Sequence, residues 1–95
     1  MVKIVGLSEE ELKEQKRFSI LEEITKRLLP KARVATVSET MLIFIGEEYS
    51  LKTYKGTGNN YFVDVHNPKV RRDAIKLAEA YEAAGEPEIT VRELY

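Results

Sequence analysis

The chain has 95 residues, a net charge of −1, one histidine and no cysteine. That excludes a disulfide framework, a thiol nucleophile, a thiolate metal site and any multi-histidine metal centre. Its length suits one domain, residues 1–95, and its sequence pI of 5.9 argues against a general nucleic-acid coat protein while leaving room for a local basic patch.

Val2 to Val5 reads as a short strand. Ser8 stands three residues before Glu11, a capping box, and Glu9 to Glu11 suit the positive end of a helix dipole. The helix is expected to run to Leu29, because Pro30 cannot continue it. Its apolar stripe is Leu21, Ile24 and Leu28, with Ile20 beside it. Glu9 to Arg17 is almost wholly polar and is expected to face solvent or a partner.

Four strands follow. Val34 to Val37 precedes the turn Ser38-Glu39-Thr40. Met41 to Ile45 is apolar at every position, which predicts a central strand covered on both faces. Gly46-Glu47-Glu48 forms the next turn. Tyr49 to Lys55 and Asn60 to His66 flank the glycine-rich loop Gly56-Thr57-Gly58-Asn59. One buried face requires paired residue numbers that sum to an even value. Leu51 is therefore expected opposite Val63 or Val65, and Thr53 opposite Tyr61 or Val63, with a loop of three or five residues and Gly or Asn there at positive φ. Asn67-Pro68 opens a second helix with Val70, Ala74, Leu77, Ala78 and Tyr81 on one face. Gly85 stops it, Pro87 lies beyond, and Ile89 to Leu94 reads as a last strand. The fold class is α+β: a four-stranded antiparallel meander flanked by two helices, order (β)αββββα(β). The expected core is Leu21, Ile24, Leu28, Val37, Leu42, Phe44, Val63, Val70, Ala74 and Leu77.

Three groups of residues could carry chemistry. Lys52, Tyr54 and Lys55 on one strand of the hairpin, beside Tyr61 and Phe62 on the other, interleave cations with aromatics as single-stranded nucleic-acid sites do. Lys69, Arg71 and Arg72 crowd the start of the second helix, where each cation costs about 0.3–1 kcal/mol against the dipole. A bound anion or an ion pair with the acidic first helix would offset this. Asp64 and His66 share one face of a strand, with Glu47 and Glu48 near the start of its neighbour, a set that could hold a divalent ion or do acid–base chemistry. The loop from Gly56 to Asn60 lacks the spacing of a phosphate-binding loop and is followed by a strand, so it reads as a hairpin turn.

The order helix, strands, helix, strand resembles the core of the PD-(D/E)xK nucleases. That family carries an acid, one spacer and a Lys on the strand before the last helix; here the triplet is Asp64-Val65-His66, and no Pro-Asp motif precedes it. The resemblance implies a metal-dependent hydrolase or nuclease-like protein with Asp64 and His66 at the metal.

No catalytic motif is complete and no cofactor is implied. The leading expectation is a non-enzymatic interaction or accessory module that self-associates, because a small margin of burial gains from oligomerisation. The alternative is a nucleic-acid-binding protein using the basic and aromatic hairpin; the third is the metal-dependent hydrolase. No apolar run approaches the roughly 20 residues that span a bilayer, and MVKIVGL is too short and too soon followed by acids for a signal peptide, so a cytoplasmic location is expected. Fourteen Glu against two Asp, one Gln and three Asn give a thermophile-like composition.

Overall fold

The computed structural model describes residues 9–56, 60–85 and 88–95, and the side chains of α1 from Phe18 onward. The expected strand at Val2 to Val5, the capping box at Ser8, Pro87 and the backbone of 57–59 lie outside the described residues.

Helix α1, Glu9–Leu28, ends where Pro30 forbids another turn, its last bond running from Leu29 N–H to Thr25 O at 2.9 Å. The strands are β1 Arg33–Val37, β2 Thr40–Ile45, β3 Glu48–Lys55, β4 Asn60–Val65 and β5 Glu88–Glu93, with α2, Arg71–Ala83, between the last two. Two-residue turns join the first three strands. Each needs a residue at positive φ, and Ser38 at 56° and Gly46 at 69° supply it. The β3–β4 register pairs Leu51 with Val65, Thr53 with Val63 and Lys55 with Tyr61, all even sums, and Gly56 N–H closes the loop on Asn60 O at 2.8 Å. Asn67 caps a 3-10 turn, Pro68–Val70, by accepting from Lys69 N–H at 3.0 Å, and α2 follows directly.

Two features differ from the expected meander. The sheet is five-stranded and mixed: β1 to β4 are antiparallel neighbours, and β5 joins as a parallel neighbour of β4 after the α2 crossover. A helix between two strands of one sheet returns the chain to the same end, which makes the pair parallel. Both helices also lie on one face, linked by the Thr25–Tyr81 hydroxyl contact. The core is thus a single layer of Phe18, Leu21, Leu77 and Tyr81 over Met41, Ile43, Leu51, Tyr61, Val63 and Val65.

This placement corrects several core expectations. β2 is covered on one face only, so Met41 and Ile43 are buried while Leu42 and Phe44 are half-buried on the other side. Val37 is 67% exposed and Leu28 43% exposed. The inward stripe of α1 is Phe18, Leu21 and Thr25, and the threonine fits because its hydroxyl donates to Leu21 O at 2.8 Å and meets Tyr81. No described helix is long and apolar enough to cross a membrane.

Candidate functional site

Among the described residues, nothing covers the sheet face opposite the helices. The register arranges its side chains in three rows running across the strands. Val37, Thr40, Tyr54, Phe62 and Thr90 form the first, and Ala35, Leu42, Lys52, Asp64 and Arg92 the second. Arg33, Phe44 and Tyr49 form the third, which continues to His66. Rows two residues apart lie about 6.8 Å from one another along a strand.

Strict alternation would put Tyr49 on the helix side with Leu51. A β-bulge prevents this: Leu51 faces Ile43 and Tyr49 faces Phe44, so Ser50 is the extra residue. Ser50 is buried, its hydroxyl donating to Glu48 O at 3.1 Å and its carbonyl accepting from His66 N–H at 2.9 Å. Tyr49 is thereby turned outward between Phe44 and His66, with ring centroids 5.6 and 4.7 Å away. Partial burial, and then the negative charge of Asp64, push its phenol above the ordinary tyrosine range.

Cations cover the rings. The Arg33 guanidinium lies 4.5 Å from the centre of Phe44, and Lys52 Nζ lies 4.8 Å from that of Tyr54. Arg92 lies 4.8 Å from Phe62 and 5.8 Å from Tyr54, and these two rings stack at 5.4 Å. A cation over a ring face is attracted by the ring quadrupole. Asp64 is only 3% exposed and is held bidentately: Arg92 Nε donates to Oδ1 at 2.8 Å and Nη2 to Oδ2 at 2.9 Å. Arg92 Nη2 also donates to the Tyr54 hydroxyl. The hydrogen bond to Asp64, helped by the charges of Asp64 and Tyr54 and opposed by desolvation, raises the Arg92 guanidinium above its usual range.

Lys52 and Tyr54 therefore share this face. Lys55 does not: it pairs with the buried Tyr61 on the helix side, because successive residues of a strand point oppositely. Lys69 lines a cleft of about 490 Å³ at the end of the third row, with Glu48, Tyr49, His66, Asn67 and Pro68. His66 Nε2 is buried there without a hydrogen-bond partner among the described residues, and Asn67 donates to Glu48 Oε2 at 2.5 Å. Arg71 donates to Glu93 of β5, where an ion pair with the acidic first helix was the simpler expectation. That hydrogen bond raises the Arg71 guanidinium above its usual range. Arg72 is exposed on the first turn of α2. Lys69 thus lies at the end of the third row, and Arg71 is engaged by β5.

Asp64 and His66 lie in adjacent rows, but Arg92 engages both carboxylate oxygens of Asp64, and the imidazole of His66 lies against the Tyr49 ring, tilted by 32°. Among the described residues, no group of three or more His, Asp or Glu could hold a metal ion. Position 66, where the nuclease pattern carries Lys, is His, and Lys52 of the neighbouring strand pairs in register with Asp64.

The sequence reading missed Arg33, Tyr49 and Arg92 as members of the face and assigned Phe44 to the core. Alternation of Ile89 and Val91 with Thr90 and Arg92 groups the last two, but which strand β5 joins is not a local property. Comparison of the chain with family models, curated proteins and solved structures finds no match.

Proposed function

We propose that the chain is a non-enzymatic binding module and that the open face of its sheet holds single-stranded nucleic acid. The observation supporting this is the pairing of aromatic rings with cations on one uncovered surface: Arg33 on Phe44, Lys52 on Tyr54 and Arg92 on Phe62. Rings and guanidinium planes stack bases of any identity, and the cations meet phosphates. Asp64 neutralises Arg92, so Arg33 and Lys52 supply the phosphate attraction. Two such contacts predict a log–log salt slope of about −1.4, on roughly −0.7 per contact for single strands. Titration of a labelled single-stranded RNA or DNA oligomer at low and moderate salt tests this. Phe62→Ala is expected to weaken binding by about 1–3 kcal/mol, the range for loss of one stacked base. Absence of saturable binding at low salt removes the proposal.

A second reading, self-association, is favoured by β1. Among the described residues this strand bounds the sheet, with Ala35, Thr36 and Val37 exposed and neither Pro nor a bulge to blunt it. An unprotected edge is a template for pairing with a second copy about a twofold axis. Such pairing extends the open face and leaves it uncovered.

A further inference from the structure

We infer that Asp64 is a positioning residue that fixes Arg92 on Phe62 as a preformed platform for one base, whereas Arg33 is a displaceable cover over Phe44. The inference rests on the open face being the binding surface and says how its stations differ. Arg92 is held through Nε and Nη2 by the buried carboxylate, and by Nη2 to the Tyr54 hydroxyl, while its side chain stays 42% exposed. A guanidinium so tied cannot swing off the ring beneath it, and its outer side stays open to a base. Little conformational freedom is then left to lose on binding. Arg33 has no carboxylate partner among the described residues. Leaving Phe44 costs it one cation–ring contact, and the freed guanidinium can follow the incoming phosphate. The Phe62 ring occupies space that only Gly56 leaves, because a β-carbon at position 56 would overlap it.

The sign of one substitution separates positioning from plain charge. Asp64→Asn removes a negative charge and adds one unit of net positive charge to the face. If attraction to phosphate were all that mattered, binding would tighten. If Asp64 positions Arg92, binding weakens.

The experiment titrates a labelled single-stranded RNA oligomer against wild type, Asp64→Asn, Arg92→Lys and Arg33→Lys at two salt concentrations, with thermal unfolding of each. Arg92→Lys keeps the charge and an ion pair with Asp64 but loses the planar surface. The expected result is a loss of about tenfold for both Asp64→Asn and Arg92→Lys, within the worth of one stacked base, and a loss below about threefold for Arg33→Lys. Arg92→Lys should unfold within about 4–8 °C of wild type, what a change near 1 kcal/mol produces in a domain of this size. Binding by Asp64→Asn as tight as wild type or tighter overturns the inference and leaves the open-face reading standing. If Asp64→Asn does not fold cooperatively, Arg92→Lys decides alone, and unchanged affinity overturns the inference. No binding by wild type overturns the open-face reading and this inference together.

Discussion

Tyr81 places a phenol deep in the core layer, beside the buried Thr25. It is fully buried, and its hydroxyl meets that of Thr25 at 2.5 Å. Burial pushes its phenol above the ordinary 10.0, and the hydrogen bond to Thr25 pulls the other way. The folded state therefore favours the neutral phenol. That contribution to stability is complete below the unfolded value and is lost as pH rises through the folded one. Tyr49 shifts in the same direction. The melting temperature should accordingly fall above about pH 10, where free tyrosine ionises, and Tyr81→Phe should fall less steeply. At neutral pH that variant should cost about 1 kcal/mol for the lost hydrogen bond. An identical alkaline slope in wild type and variant would show that Tyr81 is not the group responsible. Packing predictions follow from the same layer. Leu21→Ala should cost about 2.7–5 kcal/mol, and Leu28→Ala, on an exposed turn, less than about 1 kcal/mol in denaturant unfolding. Apolar spacing alone made these leucines equivalent. The inward position of Thr25 separates them, and spacing of apolar residues cannot register a threonine satisfied by a tyrosine 56 residues away. Phe44 illustrates the same limit. It lies under Arg33 on the open face, so Phe44→Ala should cost less than Ile43→Ala, for which about 2–5 kcal/mol is expected.

At the level of elements, local chemistry was legible and long-range pairing was not. Pro30 and Gly85 mark helix ends, Gly46 marks a turn, and the even-sum rule narrowed the β3–β4 register to even pairings, of which Leu51 with Val65 is the one observed. The bulge at Ser50 leaves no such mark. It depends on β3 meeting β2 with one residue to spare, and its result is that Tyr49 changes faces. Deletion of Ser50 should remove the bulge and set Tyr49 directly before Leu51, so that strict alternation keeps Tyr49 on the open face opposite Phe44. The expected cost is about 1–3 kcal/mol, with the mutual ring-current shifts of Tyr49 and Phe44 retained in proton NMR spectra. Loss of those shifts would show that Ser50 is not the residue the bulge absorbs. β5 was recognisable as a strand, yet its direction and neighbour are set by the α2 crossover. The ion pair between Arg92 and Asp64, and with it the centre of the candidate site, was invisible without that crossover.

For the whole molecule, a net charge of −1 coexists with a sheet face carrying Arg33, Lys52 and Arg92 against Asp64, so attraction to a polyanion is local and should fade quickly with salt. The chain has no tryptophan and five tyrosines, of which Tyr49 and Tyr54 lie on the open face and Tyr61 and Tyr81 in the core. Bound nucleic acid should therefore quench intrinsic tyrosine emission, and the paired change of Tyr49 and Tyr54 to Phe should abolish most of the quenching at saturating ligand. Quenching unaltered in that variant would place the ligand elsewhere. Sedimentation should give a dimer or larger at micromolar concentration, and Val37→Lys, which puts a charge on the β1 edge, should shift it toward monomer. A wild-type monomer at all concentrations would remove self-association. The parallel attachment of β5 has a kinetic consequence. The hairpins from β1 to β4 close over short loops, whereas the parallel pair must wait for α2 to be in place, and contacts distant in sequence form late. Among the described residues β5 is also an edge strand, with Ile89 and Val91 half-buried and its other positions exposed, the profile of a segment that opens before the rest of the molecule. Because β5 carries Arg92, the binding-competent population is the population with this strand docked, and the apparent affinity is divided by that fraction. Ligand should then slow amide hydrogen exchange in β5 more than in β2 or β3, making the last strand to dock the one that the bound strand holds closed.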